Sequence, residues 1–355
     1  LPKLNPVPAP ECFCFQSPNF AFCAPQKNPD LYIARLTKRF PEESAGIEGF
    51  INKLTASADE ADRLHRNRKT FIRSFFPFQY SNLWSLRDKT VKDLIGAYVK
   101  TPELVDLLGA PWEYYGLPPS RLSSFVFAVS IGDYLKNGAY YIRPRSRELA
   151  VELVDAIETA GGQLRLNSSA KSVIIENNRV TGVRLSGGEK LPAEAVAANV
   201  NTPALFGKLV DHNHITDTYA RRLHRFRPSI SAFVVWLGLN EDVTKRIANY
   251  STYIASGRGA EADYRACLKG SIDEMPFFIT IYNNLFSAYS PPGTTCVTLM
   301  ALCGFEPWQK HASDYRKGDK AAYHEQKKRW AQTLIRRAQP HLSADLPAII
   351  EETEA

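Results

Sequence analysis

The chain has 355 residues, of which 44% are hydrophobic and 23% are charged, and its formal net charge is +7. This length predicts two domains, or one large domain with an insertion, and the composition excludes wholesale disorder. No run of residues is long and apolar enough to span a bilayer, so we expect a cytoplasmic protein with membrane contact, if any, at its periphery.

The first part of the sequence passes from an extended to a helical pattern. Six prolines within the first 27 residues predict an extended lead-in with at most short edge strands. A helix is predicted from Asn28, a capping residue, with Pro29 at the first helical position. Apolar spacing then predicts a long amphipathic helix over residues 42–64, a short helix capped by Thr101 that ends near residue 108, and a buried helix over residues 122–135.

The region from residue 146 to residue 209 has the clearest organisation. A helix capped by Ser146 is predicted to end at Gly161 and Gly162, and its apolar face consists of Leu149, Leu153, Ala156 and Ile157. Strands are predicted over residues 163–166, 170–176, 180–185 and 195–199. Turns at residues 177–178 and 187–188 make the middle of this region a hairpin.

The last part of the chain is rich in strands. Residues 229–239, 277–282 and 295–303 are predicted strands, and residues 317–339 a basic amphipathic helix ended by Pro340. Strands that lie far apart in the sequence predict a mixed or antiparallel sheet covered by helices on one side.

Charges and cysteines point to no metal or nucleic-acid site. The basic runs, such as residues 221–227, have no interleaved aromatic residues and favour solvated helix faces, so we expect no nucleic-acid partner. The six cysteines include no CxxC pair, which favours reduced thiols, while Cys12, Cys14 and Cys23 lie close enough for one local disulfide. Residues 211–214, which contain two histidines, are interpreted as a surface loop and no metal site is predicted.

Several stretches in chain order carry a family resemblance. They are LPPSRLS at 117–123, YLKNGAYYIRPRSREL at 134–149, GGQLRL at 161–166 and RVTGVRLSGG at 179–188. They resemble the middle of the phytoene desaturase, carotenoid isomerase and retinol saturase family. The resemblance implies an α/β (α+β) fold with a glutathione-reductase-like FAD-binding domain and a substrate domain with a mixed or antiparallel sheet covered by helices.

The resemblance also divides the chain into parts. Residues 1–140 would form the first, mostly helical part of the substrate domain, residues 141–210 part of the FAD-binding domain, and residues 211–355 the second part of the substrate domain. The GxGxxG turn that binds the dinucleotide is missing, since the nearest pattern, at Gly257 and Gly259, follows no strongly apolar strand and is interpreted as a loop. The terminal FAD segment is missing too, so FAD is expected in the full-length parent and is expected to bind weakly or not at all here.

Cofactor contacts are implied for the hairpin and the strand after it. Backbone groups of Ala170, Lys171 and Val173 would meet the adenine, and Asn199 would lie near the cofactor. An ordinary hairpin strand and a turn-capping asparagine are the alternatives. The family's Gly-Gly pair near the flavin ring is replaced by Pro144 and Arg145, which puts contact with the ring in doubt.

Substrate contacts are implied for aromatic side chains. These candidates are Tyr140, Tyr141, Phe125, Phe127, Phe233 and Phe278, although a packed core has the same composition. No catalytic acid or base is assigned, because hydride exchange with a flavin needs little acid-base help. The hypothesis is an FAD-dependent oxidoreductase that desaturates, saturates or isomerises a polyene or similar hydrophobic small molecule. A non-catalytic lipid- or partner-binding module, and a flavoenzyme of the same fold acting on an amine or small polar substrate, remain as alternatives.

Overall fold

The computed structural model of the protein describes residues 4–67, 73–247 and 249–355. The chain forms two compact units. The larger contains Pro2–Leu149 and Ile230–Ala355, and the smaller contains Ala150–Ser229.

The strands of both units are short to medium in length. In chain order they are β1 (Asn5–Pro8), β2 (Phe13–Gln16), β3 (Ala21–Ala24), β4 (Tyr140–Arg143), β5 (Ala170–Glu176), β6 (Arg179–Leu185), β7 (Lys190–Pro192), β8 (Ser231–Leu239), β9 (Ser251–Ile254), β10 (Phe277–Ile281), β11 (Thr295–Cys303) and β12 (Ile350–Glu354).

Helices fill most of the sequence between the strands. In chain order they are α1 (Pro29–Arg39), α2 (Ser44–Arg66), α3 (Phe76–Gln79), α4 (Ser81–Leu86), α5 (Val91–Gly96), α6 (Pro102–Gly109), α7 (Ser124–Asn137), α8 (Arg147–Thr159), α9 (Thr202–Ala204), α10 (Asp217–Leu223), α11 (Ala260–Lys269), α12 (Glu306–Gln309), α13 (Ala312–Arg316), α14 (Ala321–Leu342) and α15 (Leu346–Ile349). None of the helices in the described ranges is both long and apolar enough to cross a membrane.

A mixed sheet is the centre of the large unit. Its strand order is β12-β8-β11-β10-β9-β2-β3. All neighbours are antiparallel except β2 and β9, which run parallel. The predicted mixed or antiparallel sheet is therefore confirmed. The prediction of only edge strands in the lead-in was wrong for β2, which lies inside the sheet because the segment between Pro10 and Pro18 contains no proline and can pair on both sides.

Most of the predicted helices of the large unit are confirmed. At the start of α1, the Asn28 side chain accepts a hydrogen bond from the Leu31 N–H at 2.9 Å. Thr101 is the N-cap residue of α6, as predicted, but its hydroxyl makes no capping hydrogen bond and donates instead to Glu43 Oε1, at 2.9 Å. The predicted buried helix is α7, although Val126 on its outer side is 47% exposed.

The last long helix does not end where the sequence predicts. Pro340 lies inside α14, which continues to Leu342. A proline in the last turn removes one backbone hydrogen bond, and two features keep the helix going: Leu342 is only 1% exposed, and the Ser343 N–H donates to the Gln339 carbonyl at 3.1 Å. Burial of Leu342 therefore outweighs the tendency of Pro340 to end the helix.

The small unit contains the predicted hairpin. Strands β5, β6 and β7 form an antiparallel sheet, and Asn177 and Asn178 adopt left-handed backbone angles (φ 52° and 58°) in the turn between β5 and β6. The predicted helix is α8, and Gly161 follows it with φ +84°.

Two predicted strands of the small unit were wrong. Residues 163–166 and 195–199 form no strand. A strand exists only where a neighbour shares its backbone hydrogen bonds, and no described strand lies beside either segment. The apolar face of α8 is likewise uncovered, with Leu153 47% and Ile157 50% exposed.

One disulfide joins neighbouring strands of the large sheet. Cys14 on β2 and Cys23 on β3 are direct cross-strand partners, and their sulfur atoms are bonded. The expectation of reduced thiols throughout was therefore wrong, and the local disulfide considered beside it is formed. Cys12 is a free thiol.

Candidate substrate groove

Four aromatic side chains cluster on the large unit. The rings of Tyr282 and Tyr289 stack at a centroid distance of 4.8 Å, and Tyr141 lies 5.5 Å from Tyr282 and 6.3 Å from Tyr289. Phe286 lies 5.5 Å from Tyr289 and completes the set. We call these four residues, with Arg143 and Arg145, the aromatic groove.

Strand pairing positions the first of these rings. Tyr141 lies on β4, whose one partner among the described strands is β1, and it stands opposite Val7. Prolines at positions 6 and 8 are compatible with this short two-stranded ribbon because one side of β1 needs no donors. Strand β4 ends at Arg143, and Arg145 follows two residues later.

A short loop after β10 positions the other three rings. The Asn283 side chain donates to Ser290 Oγ at 2.7 Å and accepts from the Cys296 N–H at 3.0 Å. The Asn284 side chain donates to the carbonyls of Ile247 and Asn249, at 2.6 and 3.0 Å. Both amides are therefore used to hold the loop, which brings its aromatic residues back over the end of the sheet.

Two arginines lie against the aromatic rings. The guanidinium carbon of Arg143 is 4.8 Å from the centroid of Phe286, and that of Arg145 is 5.3 Å from the centroid of Tyr289. Arg145 Nη2 also donates to the Tyr289 carbonyl at 3.2 Å. Within the described residues, neither guanidinium has a carboxylate partner, so both contribute net positive charge to the groove.

Two recesses flank Arg145 and Tyr289, which line both. The larger has a volume of about 700 Å³ and polar walls that include Asn283 and Asp242. The smaller, of about 300 Å³, opens on the face of the sheet beside Trp236 and Thr298, which are partners on β8 and β11. Together the two recesses present aromatic rings, one cation at Arg145, and the carboxylates of Asp242, Glu352 and Glu354 at their edges.

Burial favours the protonated form of two phenols in the groove and of one thiol in the smaller recess beside it. Burial raises the pKa of the Tyr282 and Tyr289 phenols above their ordinary values. Burial also raises the pKa of the Cys296 thiol, which Arg145 opposes without reversing. At neutral pH these groups can donate hydrogen bonds but cannot act as bases or nucleophiles. The groove is thus suited to binding a flat or extended apolar molecule.

The substrate residues expected from the sequence lie in different places. Tyr141 is in the groove, whereas Tyr140 points to Lys27, whose ammonium lies 4.6 Å from the ring centroid. Phe125 is partly buried against the core, and the remaining three are almost completely buried in it: Phe127, Phe233 and Phe278, at 1%, 7% and 5% exposure. The structure therefore does not bring the six residues together in one wall.

The expected cofactor residues lie in the small unit. Ala170, Lys171 and Val173 are on β5, and the pairing shifts between Ala170 and Ser172, so that Lys171 is the extra residue of a β-bulge. Asn199 is exposed in a segment without regular structure. Their contact with a cofactor stays a prediction.

Sequence reasoning missed Tyr282, Phe286 and Tyr289. Alternation along β8 could have separated the two faces of the sheet, since Phe233 and Val235 are buried while Trp236 is 51% exposed. The position of Tyr282 directly after a buried strand was a second usable signal, because strand ends are where sheets present functional side chains.

Comparison with known proteins gives sequence relatives of one kind. Prolycopene isomerase of Daucus carota is 21% identical over 325 residues, 89% of this chain and 51% of that protein. All-trans-retinol 13,14-reductase of Macaca fascicularis is 26% identical over 62% of this chain and 39% of its own length. Phytoene desaturase (lycopene-forming) of a Paracoccus strain is 27% identical over 46% of the chain and 32% of its own length. The chain thus spans about half the length of its curated relatives or less, and no family model matches it.

Solved structures share the fold at low identity. An oxidoreductase from Methanosarcina mazei superposes with a TM-score of 0.57 at 12% identity, over 89% of this chain and 65% of that one. Putrescine oxidase bound to putrescine gives 0.54 at 11% identity, over 99% of this chain and 68% of that one. The predicted fold class, with helices and a mixed or antiparallel sheet, is confirmed. The predicted resemblance is confirmed as well: this chain is similar in sequence to prolycopene isomerase, retinol reductase and phytoene desaturase.

Proposed function

We propose that this chain is part of an FAD-dependent oxidoreductase that desaturates, saturates or isomerises a polyene or a similar hydrophobic molecule. The observation that carries the proposal is similarity to prolycopene isomerase along 89% of the chain, across both compact units. Shared order over this length is more specific than any single motif. The retinol reductase and phytoene desaturase relatives act, by their names, on molecules of the same chemical kind.

The aromatic groove is the proposed substrate surface. A polyene is flat and apolar, and stacked rings such as Tyr282 and Tyr289 offer it area without fixed hydrogen-bond demands. The protonated phenols and thiol supply no base, which suits a reaction in which the cofactor carries the chemistry. Arg145 would lie beside any polar end of the substrate.

The β5–β6 hairpin is the proposed adenine contact. The bulge at Lys171 leaves this residue without a partner across the ladder, which suits recognition of a base edge by backbone groups. Neighbouring Ala170 and Val173 would flank the base, and Asn199 would lie near the cofactor. A bound flavin would supply hydride exchange with a substrate carbon, and the part of this chain would be to bind and orient the two molecules.

Peripheral membrane contact is proposed for the segment around α3 and α4. Phe78 is 83%, Phe75 54% and Trp84 40% exposed, a set of large apolar side chains at one place in the sequence. Arg87 lies 3.5 Å from the centroid of Trp84 but is paired with Asp88 at 2.6 Å, so the positive charge at this place comes from the exposed Lys89. Aromatic residues beside basic ones are typical of surfaces that rest on anionic lipid. Phe78→Ser is expected to reduce cosedimentation with anionic vesicles, and Phe305→Ser, at a second exposed phenylalanine, serves as its control.

The activity test uses the full-length gene product that contains this chain. We expect a flavin absorbance spectrum after purification and conversion of a carotenoid or retinoid, followed by chromatography of the polyene products. Tyr282→Leu should lower conversion while flavin content is kept, and Tyr315→Leu, an exposed tyrosine on α13, should change neither. Flavin-free protein that binds lipid without converting it would support a non-catalytic module, and oxidation of amines instead of polyenes would support the amine flavoenzyme. Either result would overturn the proposal.

A further inference from the structure

A separate cavity of about 150 Å³ lies in the large unit and shares no lining residue with the recesses beside Arg145. It is bounded by β2, β9, α6 and the start of α11. The aromatic groove does not contribute to it, so its role is independent of the proposed redox reaction.

A strand, a glycine turn and a helix form one side of this cavity. The buried strand β9 leads through Gly257 and Gly259, with φ of 82° and 84°, into α11. The sequence predicted the loop correctly but not the buried strand that feeds it. The positive φ favours glycine at position 259, where a Cβ would lie 3.4 Å from Asp106 Oδ1, so the carboxylate of Asp106 lies beside the turn. This carboxylate argues against a phosphate ligand at the turn.

Aromatic rings form the opposite side. Phe15 lies 5.4 Å from Phe20 and 5.7 Å from Tyr253 between ring centroids, and Trp112 completes the aromatic lining. Faces of such rings carry partial negative charge, which attracts cations. Aromatic walls around an enclosed space are a recognition device for organic ammonium groups.

Carboxylates add negative charge to the same space. Asp263 is 2% exposed and accepts hydrogen bonds from Ser256 and, at 3.4 Å, from Tyr253. Asp106 also lines the cavity, and no side chain in the described ranges bonds to it or pairs with it. Arg258, in the glycine turn, is engaged elsewhere, with Nη1 2.7 Å from Glu274. The guanidinium of Arg39 lies 5.9 Å from the centroid of Phe20, but no cation in the described ranges pairs with Asp106.

One buried donor is left without an acceptor. Trp112 is completely buried and lines the cavity, and its indole Nε1–H has no hydrogen-bond partner in the described parts of the chain. A buried N–H without an acceptor is unfavourable, and because Nε1 has almost no accessible surface, a ligand oxygen in the cavity would reach it only after the neighbouring side chains shift. The Trp112 N–H is independent of the carboxylates, and its partner on the ligand would be a hydrogen-bond acceptor.

We propose that this cavity binds a small ammonium ion that also carries a hydroxyl group, of the choline or ethanolamine type. The ammonium group lies against the aromatic rings and the carboxylates of Asp106 and Asp263, and the hydroxyl oxygen accepts from Trp112. A metal ion is a poorer occupant, because no group of three or more metal-ligating side chains occurs among the described residues. Free choline fits better than phosphocholine, since Glu103 and Asp106 in the lining repel a phosphate.

The test compares choline with its neutral isostere 3,3-dimethyl-1-butanol by isothermal titration calorimetry on the purified protein. Choline is expected to bind and the isostere is not, and phosphocholine is expected to bind more weakly than choline. Asp106→Asn should weaken choline binding by about tenfold or more. Asp62→Asn, at an exposed position on α2, should leave it unchanged. Because Asp106 has no partner to lose, circular dichroism should show that its variant is folded.

Three results would overturn the proposal. These are equal binding of choline and the isostere, wild-type affinity in Asp106→Asn, and no binding of choline up to tens of millimolar. Trp112→Phe tests the proposed hydrogen bond to the ligand hydroxyl, because this variant keeps an aromatic ring in the wall and removes the N–H. It should weaken choline binding while binding of tetramethylammonium, which has no hydroxyl, stays the same. Preference for phosphocholine over choline would instead indicate a lipid headgroup or its fragment, and would contradict the free-ligand assignment.

Discussion

Helices α2 and α7 touch most closely at Gly132, and this contact gives a sharp prediction. A Cβ at Gly132 would lie 2.2 Å from the Leu54 carbonyl oxygen and 2.7 Å from its carbon. Neither is the end of a flexible side chain, so Gly132→Ala must push the two helices apart by about 1 Å, since such atoms normally stay more than about 3 Å apart. The buried side chains Leu54 and Phe127, each 1% exposed, would lose packing as a result.

The expected change in the free energy of unfolding follows from two opposing effects. Overpacking of a well-packed contact costs about 1–3 kcal/mol. Better helix propensity of alanine offsets about 1 kcal/mol of this. We therefore expect a net destabilisation of up to about 2 kcal/mol for Gly132→Ala. The matched control is Gly96→Ala at the end of α5, where a Cβ would meet nothing within 4 Å and only the favourable effect of about 0.5 kcal/mol remains.

Urea denaturation followed by circular dichroism would measure both variants against the wild type. The midpoints should move in opposite directions, down for Gly132→Ala and up slightly for Gly96→Ala. If Gly132→Ala were as stable as the control, the close approach of α2 and α7 would be wrong.

Three further predictions concern the two sheet faces, pH and the cysteines. Trp236→Ala should lower polyene conversion by the full-length product with little loss of stability, whereas Phe233→Ala, three positions earlier on the buried face, should lower the free energy of unfolding by about 3–5 kcal/mol; equal stability losses would contradict the assignment of faces. Backbone N–H donors at positions 100 and 101 lower the pKa of Glu43, so its stabilisation is present above the unfolded pKa and is lost as pH falls through the lower folded pKa. Glu43→Gln should therefore lose less stability than the wild type between pH 7 and pH 3 in urea titrations, and parallel losses would argue against these hydrogen bonds. Mass spectrometry after alkylation should find four modified cysteines in denatured, unreduced protein and six after reduction, because Cys14 and Cys23 are bonded; six without reductant would rule the bond out.

The sequence alone predicted the helix ends and turns that depend on a few neighbouring residues. The cap at Asn28, the turn at Asn177 and Asn178 and the stop at Gly161 each depend on the residue itself and its neighbours within one turn of chain. These features were therefore recognisable without knowledge of the partners, as was the resemblance that links them in order.

Features that need a distant partner were missed. Strand β2 lies inside the sheet only because β9, more than two hundred residues later in the sequence, pairs with it. Residues 163–166 form no strand because no neighbouring strand is present among the described residues. The groove has the same origin, since Tyr141 meets Tyr282 and Tyr289 only after β4 and the loop following β10 come together. No local pattern in the sequence specifies which distant aromatic side chains come into contact. The predicted substrate residues were therefore chosen by residue type, and most of them belong to the core.

The hydrogen bonds of the Asn283 and Asn284 amides affect how tightly and how selectively the groove can bind a ligand. A loop whose side chains are already tied down loses little conformational freedom when a ligand arrives, so more of the contact energy appears as affinity. Such a preorganised surface would discriminate by shape, admitting rigid, extended molecules and rejecting bent ones that would require the backbone to rearrange.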